Sequence, residues 1–143
     1  MQFPHEYQVS AAVQPEGLVR LNGDGLTELA SAPPKEFGGP GDQWSPEDLL
    51  VAAVADCFVL SFRAIAGMSK FSFTDLECKV TGTLDKVERD VQFVALQIHA
   101  HLTIPADADE SRAQRLLEKA EATCFITNSL KAEPHLETQI TKA

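Results

Sequence analysis

The sequence predicts one α+β domain, residues 1–143, in which antiparallel sheets surround a long buried central helix. Two observations lead to this fold class. An apolar run from Ser45 to Gly67 carries helix signals at both ends, and two long segments that follow it alternate apolar and polar residues as strands do. A chain of this length can bury a core without disulfides or metals.

Composition and charge narrow the classes of function. Hydrophobic residues make up 44% of the chain and charged residues 23%, which is typical of a globular protein. The formal net charge of −9 argues against binding to nucleic acid phosphates or to an anionic membrane surface. The N-terminus has neither the basic nor the apolar region of a signal peptide, so we expect a cytoplasmic protein with reduced cysteines.

The chain before the central helix predicts a small sheet and a loop. Residues 6–30 are typical of short strands, with a hairpin turn at Asn22-Gly23-Asp24-Gly25. The segment 31–44 is dense in proline and glycine and predicts a loop. A loop of this length in a small domain is usually functional or mobile.

The ends of the central helix are marked by residue type. Ser45 is predicted to cap the helix, Pro46 suits its first position, and Glu47 and Asp48 place acidic charge at the positive end of its dipole. Gly67 is predicted to end it.

The middle of this helix has almost no polar face, which predicts burial on all sides. About 20 apolar residues would suffice to cross a bilayer, but Asp48, Asp56 and Arg63 interrupt the run and favour a core helix. A chain of this size can barely cover such a helix alone. We therefore expect a homodimer in which the partner subunit covers the rest.

The second half of the chain predicts strands, a helix and a closing strand. Residues 73–84 and 90–104 alternate strictly and predict an antiparallel hairpin. Residues 107–122 predict a helix with an apolar stripe. Cys124 then lies near the start of a further helical turn that Pro134 is predicted to end, and residues 136–140 predict a final strand.

The three cysteines differ in their expected roles. Cys78 shares its strand face with apolar residues and is predicted to be a buried small side chain. Cys57 lies in the apolar helix, where packing is the ordinary role, and Arg63 lies about 240° around that helix and cannot activate it. Cys124 is better placed, because a helix N-terminus lowers the pKa of a thiol. Spacing alone leaves open whether Cys57 and Cys124 meet.

Other chemistry is weakly supported. His99 and His101 are two residues apart on the polar face of a strand, without a third ligand at a convincing distance, so we expect a solvated face rather than a metal site. The glycine-rich segment Gly38–Gly41 contains a proline and lacks the lysine of a phosphate-binding loop.

Several segments resemble one known family. SPEDLLVAAVADCF resembles the central-helix signature of the OsmC/Ohr family, the osmotically inducible and organic hydroperoxide resistance proteins. APPKEFGGPG resembles its glycine-rich loop, LDKVERDVQFVALQIHAHLTIP its long strand pair, and LEKAEATCFITNSLKAE its second cysteine segment. The resemblance covers nearly the whole chain.

The resemblance implies an OsmC-like fold and an intertwined homodimer with active sites at the subunit interface. It implies a thiol peroxidase that reduces organic hydroperoxides, with Cys57 as the peroxidatic cysteine and Cys124 as the resolving cysteine. A dithiol such as a dihydrolipoyl protein would restore the reduced pair, and neither a metal nor an organic cofactor is expected.

The resemblance also assigns charged residues. Glu47 matches the acidic residue that holds the catalytic arginine of the family. We favour Arg20 for that arginine, since it is the only one before the central helix, although Lys35 occupies the loop that supplies it in the other branch. The alternative function is that of a non-enzymatic relative that binds an apolar small molecule at the dimer interface.

Overall fold

The structure is a computed structural model that describes residues 2–143. The chain divides into two compact units, one up to Leu50 and one from Val51 to Ala143. Each unit is described by itself below, and the single domain over residues 1–143 stays a prediction.

The first unit contains an antiparallel sheet with strand order β1-β2-β3, formed by β1 (Ser10–Ala12), β2 (Val19–Asn22) and β3 (Leu29–Ser31). The Leu26 N–H donates to the Gly23 carbonyl at 3.0 Å in the turn between β2 and β3. The predicted hairpin is therefore confirmed. Strand β1 is shorter than expected, because the residues before Ser10 lie outside the sheet.

The segment between β3 and the central helix is more ordered than a simple loop. It contains a 3-10 helix, Lys35–Phe37, and the Ala32 N–H donates to the Trp44 carbonyl at 2.9 Å. A side chain at Gly39 would collide with the carbonyl oxygen of Pro33, so this turn requires glycine.

The central helix, α1 (Pro46–Met68), begins as predicted. The Asp48 N–H donates to the Ser45 hydroxyl at 3.0 Å, and the Ser45 N–H donates back to the Asp48 carboxylate at 3.2 Å. This reciprocal pair has the geometry of a capping box, with Asp in the place of the usual Glu. It satisfies N–H groups that the helix leaves without a partner.

The other end of α1 corrects the prediction for Gly67. The helix passes through Gly67 to Met68, and Lys70 takes the left-handed conformation with φ 54°. The Phe71 N–H then donates to the Ala66 carbonyl at 2.8 Å. This is the hydrogen bond of a Schellman motif, in which Lys70 replaces the expected glycine.

Helix α1 is covered by its own chain on part of its surface. The buried side chains share one face and are Val54, Phe58, Phe62, Ile65 and Ala66. Leu60 points elsewhere and is 46% exposed, so this chain alone leaves part of the helix uncovered, as expected, and cover by a partner subunit stays a prediction. By length and composition α1 could also cross a membrane, which is weak evidence, and its fully buried Phe58 and Phe62 are those of a core helix.

The second unit contains a sheet with order β4-β5-β6, formed by β4 (Asp75–Val87), β5 (Asp90–Ile104) and β6 (Glu133–Lys142). Strands β4 and β5 are antiparallel, as predicted. The expectation of purely antiparallel sheets is wrong for β6, which runs parallel to β5. The intervening helices make this possible, because a parallel pair needs a long crossover connection.

That crossover consists of α2 (Glu110–Ala122) and α3 (Phe125–Asn128). The Asp109 carboxylate caps α2 by accepting the Arg112 N–H at 3.2 Å. The predicted stripe of α2 is buried, and alternate residues of β5 are buried with it: Leu96, Ile98, Ala100, Leu102 and Ile104. Pro134 does not end α3; it lies in the edge strand β6, where a missing N–H is tolerated.

Candidate active site

Helix α1 places Cys57 at the border of the core in the second unit. The next residue, Phe58, is fully buried, whereas the preceding residue, Asp56, is exposed. Cys57 itself is half-buried. Its thiol is therefore surrounded by protein on one side while a reactant can still approach it.

The connection between α2 and α3 places Cys124. Helix α2 ends at Ala122, and Cys124 is the N-cap residue of α3, with the extended backbone angles φ −68° and ψ 116°. Its side chain is buried, with 1% exposure, and makes no capping hydrogen bond to its own helix. The thiol is thus free to interact with other groups.

The structure brings the two cysteines together. The Cys124 thiol and the backbone N–H groups of Phe125 and Ile126 lie close enough to the Cys57 sulfur to lower its pKa. The first N–H groups of a helix have no partner within it, so the start of α3 can donate them to a sulfur. On α1 itself, the Ser61 hydroxyl lies 3.8 Å from the Cys57 sulfur.

These neighbours determine the direction in which the pKa of Cys57 moves. Burial alone raises its pKa, because a low-dielectric surrounding disfavours a thiolate. The hydrogen bonds from Ile126, Cys124, Ser61 and Phe125 outweigh that cost and lower the pKa of Cys57 below its ordinary value of 9.0. Cys57 is therefore the thiol that ionises first.

Cys124 behaves in the opposite way. Burial raises its pKa above 9.0, the hydroxyl and backbone of Thr127 lower it, and the neighbouring Cys57 raises it further. Once Cys57 has ionised, a second negative charge beside it is unfavourable. Between its two ionisations the pair therefore holds a thiolate at Cys57 and a thiol at Cys124.

Cys78 is confirmed as a packing residue. It is half-buried on β4 and lies against the core of the second unit. Burial raises its pKa to about 11, with a smaller contribution from the charge of Cys124. At neutral pH it stays a thiol, so it is a poor nucleophile.

Sequence reasoning missed the groups that activate Cys57. Ser61 follows it by four residues on the same helix, a spacing that places two side chains next to each other and could have been noticed. The N–H groups of Phe125 and Ile126 leave no signal in residue type. They could be found only once α3 was known to begin beside α1.

The predicted charged residues all lie in the first unit. Arg20 and Lys35 are exposed, and Glu47 is half-buried in the first turn of α1. Among residues 2–143, no ion pair joins Arg20 or Lys35 to Glu47. The catalytic roles of Arg20 and Glu47 stay predictions.

The histidines of β5 contact residues of the neighbouring strand. His99 Nδ1 lies 3.3 Å from a carboxylate oxygen of Glu137, and His101 Nε2 lies 2.9 Å from the Thr141 hydroxyl. Both pairs cross from β5 to β6 on the solvent face of the sheet. These contacts account for both side chains without a ligand.

A family model and a named bacterial relative both match most of this chain. The family model described as OsmC-like protein matches residues 39–139. The chain is 29% identical over 96 residues to a protein named peroxiredoxin OsmC from Escherichia coli (strain K12), a match that covers 67% of this chain and 66% of that protein.

Solved structures share the fold. An OsmC-like protein of unknown function from Vibrio cholerae superposes with a TM-score of 0.87 at 16% identity, over 95% of this chain and 100% of that one. An organic hydroperoxide resistance protein OsmC from Legionella pneumophila superposes with a TM-score of 0.75 at 26% identity, over 98% and 99%. The predicted α+β class and OsmC-like fold are confirmed.

Proposed function

The chain belongs to the OsmC-like family, and on that premise we propose that it is a thiol peroxidase that reduces organic hydroperoxides through Cys57 and Cys124. Relatives named peroxiredoxin and organic hydroperoxide resistance protein place redox enzymes in this family. The cysteine mechanism of this chain is the part that we add.

One observation carries the proposal. Cys57 is half-buried, yet its pKa is lowered. One of the groups that lower it is a second thiol, that of Cys124. A peroxidase of this type needs a thiolate as nucleophile and a thiol within reach of the oxidised sulfur. Cys57 and Cys124 meet both requirements within the second unit.

The first step consumes the peroxide. The Cys57 thiolate attacks one oxygen of the O–O bond, a sulfur–oxygen bond forms, and the O–O bond breaks. The leaving alkoxide takes up a proton and departs as the alcohol. Cys57 is then a sulfenic acid, oxidised by two electrons, and the peroxide is reduced by two.

The second step forms a disulfide. The Cys124 sulfur attacks the sulfenic sulfur of Cys57, the sulfur–oxygen bond breaks, and water leaves with the thiol proton. A dithiol such as a dihydrolipoyl protein then reduces the disulfide by thiol exchange and becomes oxidised itself. We place this cycle in the cytoplasm, where thiols are kept reduced.

Arg20 and Glu47 enter the proposal from the family resemblance. A guanidinium can hydrogen-bond a peroxide oxygen through its planar fork, and a carboxylate can hold it in place. The match of motifs supports this part; within residues 2–143, Arg20 is exposed and forms no ion pair with Glu47. An unchanged rate for Arg20→Gln would remove Arg20 from the mechanism.

A homodimer is the proposed assembly. Helix α1 leaves the apolar Leu60 46% exposed, and β5 exposes Val91 and Val94. A second copy would cover apolar surface that water otherwise contacts. Light scattering on the purified protein should give twice the mass of the 15.6 kDa chain. A monomeric mass at micromolar concentration would contradict this assembly.

The peroxidase itself is tested by intact mass. The reduced protein is treated with one equivalent of an organic hydroperoxide, and its mass and peptides are analysed without a reductant. We expect the loss of two hydrogens, mapped to a Cys57–Cys124 bridge. An unchanged mass would refute the peroxidase, and the non-enzymatic binding protein would become the leading interpretation.

A further inference from the structure

Arg112, in the first turn of α2, contacts the chain directly after the C-terminal end of α1. Its guanidinium donates to the Ser69 carbonyl and lies over the ring of Phe71, with Cζ 5.4 Å from the ring centroid. Phe71 is buried in the core of the second unit. The cysteine chemistry described above uses none of these three residues.

The contact supplies a charge that α1 lacks. The last carbonyls of a helix have no helical partner and form the negative end of its dipole, yet the last turn of α1 contains no basic residue. Arg112 brings a cation to that end from another helix. A charge-assisted hydrogen bond is stronger than a neutral one, and the planar guanidinium gives it a fixed direction. The contact therefore holds α2 at one position along α1.

Cys124 is firmly attached to the other end of α2. The Thr123 hydroxyl donates to the Lys119 carbonyl at 2.8 Å, and the Cys124 N–H donates to the Glu121 carbonyl at 3.4 Å. These bonds continue the hydrogen bonding of the helix up to the cysteine. A displacement of α2 along its axis therefore moves Cys124 by a similar distance.

The two contacts between α1 and the α2–α3 segment lie at opposite ends of two equally long stretches of chain. Cys57 to Ser69 spans as many residues as Arg112 to Cys124. Each stretch is about 18 Å long at the helical rise of about 1.5 Å per residue. One end is held by Arg112 and Ser69, and the cysteines meet at the other. The position of the first contact thus determines the register of the second.

The apolar contacts of these helices do not specify the register as closely. Phe58 and Phe62 of α1 and Leu116 and Leu117 of α2 belong to one hydrophobic core. Hydrophobic burial is non-directional, whereas a hydrogen bond depends on direction. The Cα atoms of a disulfide must lie about 4.4–6.8 Å apart. Sliding α2 by one residue, about 1.5 Å, would use a large part of that range.

We propose that Arg112 is a positioning residue for the disulfide step. Its contact with Ser69 fixes α2 at the position along α1 from which Cys124 reaches Cys57. The inference rests on the proposed function and deepens it, because it concerns the second step of that cycle. Coupling between two sites is reciprocal, so the disulfide must in turn strengthen the contact of Arg112 with Ser69.

The test measures the disulfide equilibrium of the whole protein without peroxide. In mixtures of glutathione and glutathione disulfide, Cys57 and Cys124 lose two electrons and two protons and form a bridge, and glutathione disulfide becomes two thiols. Peptide mass spectrometry quantifies the bridged fraction. We expect Arg112→Gln to lower the equilibrium constant for the bridge by about fivefold or more. A purely structural role would destabilise the reduced and the oxidised protein equally and leave this constant unchanged.

Two further variants sharpen the comparison. Arg112→Lys keeps a cation that can donate to Ser69 but loses the planar fork, so the constant should fall by only about twofold. Arg115→Gln removes an exposed arginine of the same helix and is the matched control. Its equilibrium constant should equal that of the wild type.

The reciprocal effect can be measured on the wild type alone. The Phe71 N–H donates to the Ala66 carbonyl next to the Arg112 contact, so its hydrogen exchange should be about threefold or more slower in the oxidised than in the reduced protein. The Leu26 N–H, in the turn of the first unit, should exchange at the same rate in both states. This comparison holds even if Arg112→Gln fails to fold.

The possible failures can be told apart. Equal equilibrium constants for the wild type and Arg112→Gln, or equal exchange of Phe71 in both states, would overturn the role of Arg112 and leave the peroxidase intact. A bridge that forms with glutathione disulfide but not with peroxide would overturn the peroxidase alone. A wild type that forms no bridge would overturn both.

Discussion

Cys57 and Cys78 lie in the same unit, and both are half-buried, yet their pKa values move in opposite directions. Burial raises the pKa of both thiols. At Cys57 the hydrogen-bond donors outweigh burial, whereas at Cys78 nothing opposes it. The comparison shows that free donors, rather than depth, determine which cysteine of this core is reactive.

The backbone explains the difference in donors. Cys78 lies within the edge strand β4 opposite Ala100 of β5, and no backbone donor contributes to the pKa of its thiol. Cys57 faces the start of α3, where the N–H groups of Phe125 and Ile126 have no helical partner. The start of α3 therefore offers donors to Cys57 that have no counterpart at Cys78.

Removal of the nucleophile, Cys57, should have the largest effect on peroxide turnover. Cys57→Ser is expected to lower peroxide turnover by about a thousandfold or more, because the pKa is lowered only at Cys57 and is raised at Cys78 and Cys124. Cys78→Ser should retain turnover within about twofold of the wild type. Equal losses in the two variants, measured by peroxide consumption with excess dithiol, would contradict the contrast between the sites.

Loss of the resolving thiol should change the oxidation product of Cys57 more than it changes the rate of the first step. In Cys124→Ser the sulfenic acid at Cys57 cannot form the intramolecular disulfide. We expect one equivalent of a dimedone adduct at Cys57 after one equivalent of peroxide, with a single-turnover rate within about tenfold of the wild type, since other donors to the Cys57 sulfur remain. A disulfide to Cys78 in this variant would show that Cys78 can replace Cys124.

The pH dependence of alkylation measures the two pKa values directly. Iodoacetamide reacts with thiolates, so the rate at Cys57 should reach its midpoint below pH 9.0, and the rate at Cys78 should still rise towards pH 11. Peptide mass spectrometry separates the two sites in one sample. A midpoint at or above 9.0 for Cys57 would refute the assignment of the donors.

Substitution of Ser61 should have the smallest effect on the reactivity of Cys57. Its hydroxyl is 3.8 Å from the Cys57 sulfur, which is a long contact, and it is one of several donors. Ser61→Ala should raise the pKa of Cys57 slightly and slow its alkylation at pH 7 by about twofold to fivefold. Ser72→Ala, at an exposed position outside α1, is the matched control and should leave the rate unchanged.

Much of the fold could be predicted because it depends on periodicity. The alternation of β5 and the stripe of α2 mark the buried faces directly. The direction of β6 could not be read from the same pattern, because alternation is identical in parallel and antiparallel strands. The helix end at Lys70 was also hidden, since a lysine in the left-handed conformation is held by the Schellman geometry rather than by residue preference.

The candidate active site could be predicted from the sequence to a smaller degree than the fold. The motif predicts Cys57 and Cys124 as the reactive pair, which stays a prediction, and the apolar strand face predicted the packing role of Cys78. What activates Cys57 depends on backbone donors that a distant helix supplies, and no residue type encodes that proximity. The search for an activating cation therefore turned to side chains such as Arg20, whereas the donors observed next to Cys57 are N–H, S–H and O–H groups.

The crossover between β5 and β6 also determines when the chain acquires its reactive thiol. Cys124 arrives beside Cys57 only after β4, β5 and α2 have been synthesised, because those elements lie between them in the chain. Closing such a long loop costs entropy and is a late event in folding. During synthesis Cys57 therefore has the reactivity of an ordinary thiol. The topology therefore postpones the lowering of the Cys57 pKa until α3 has reached α1.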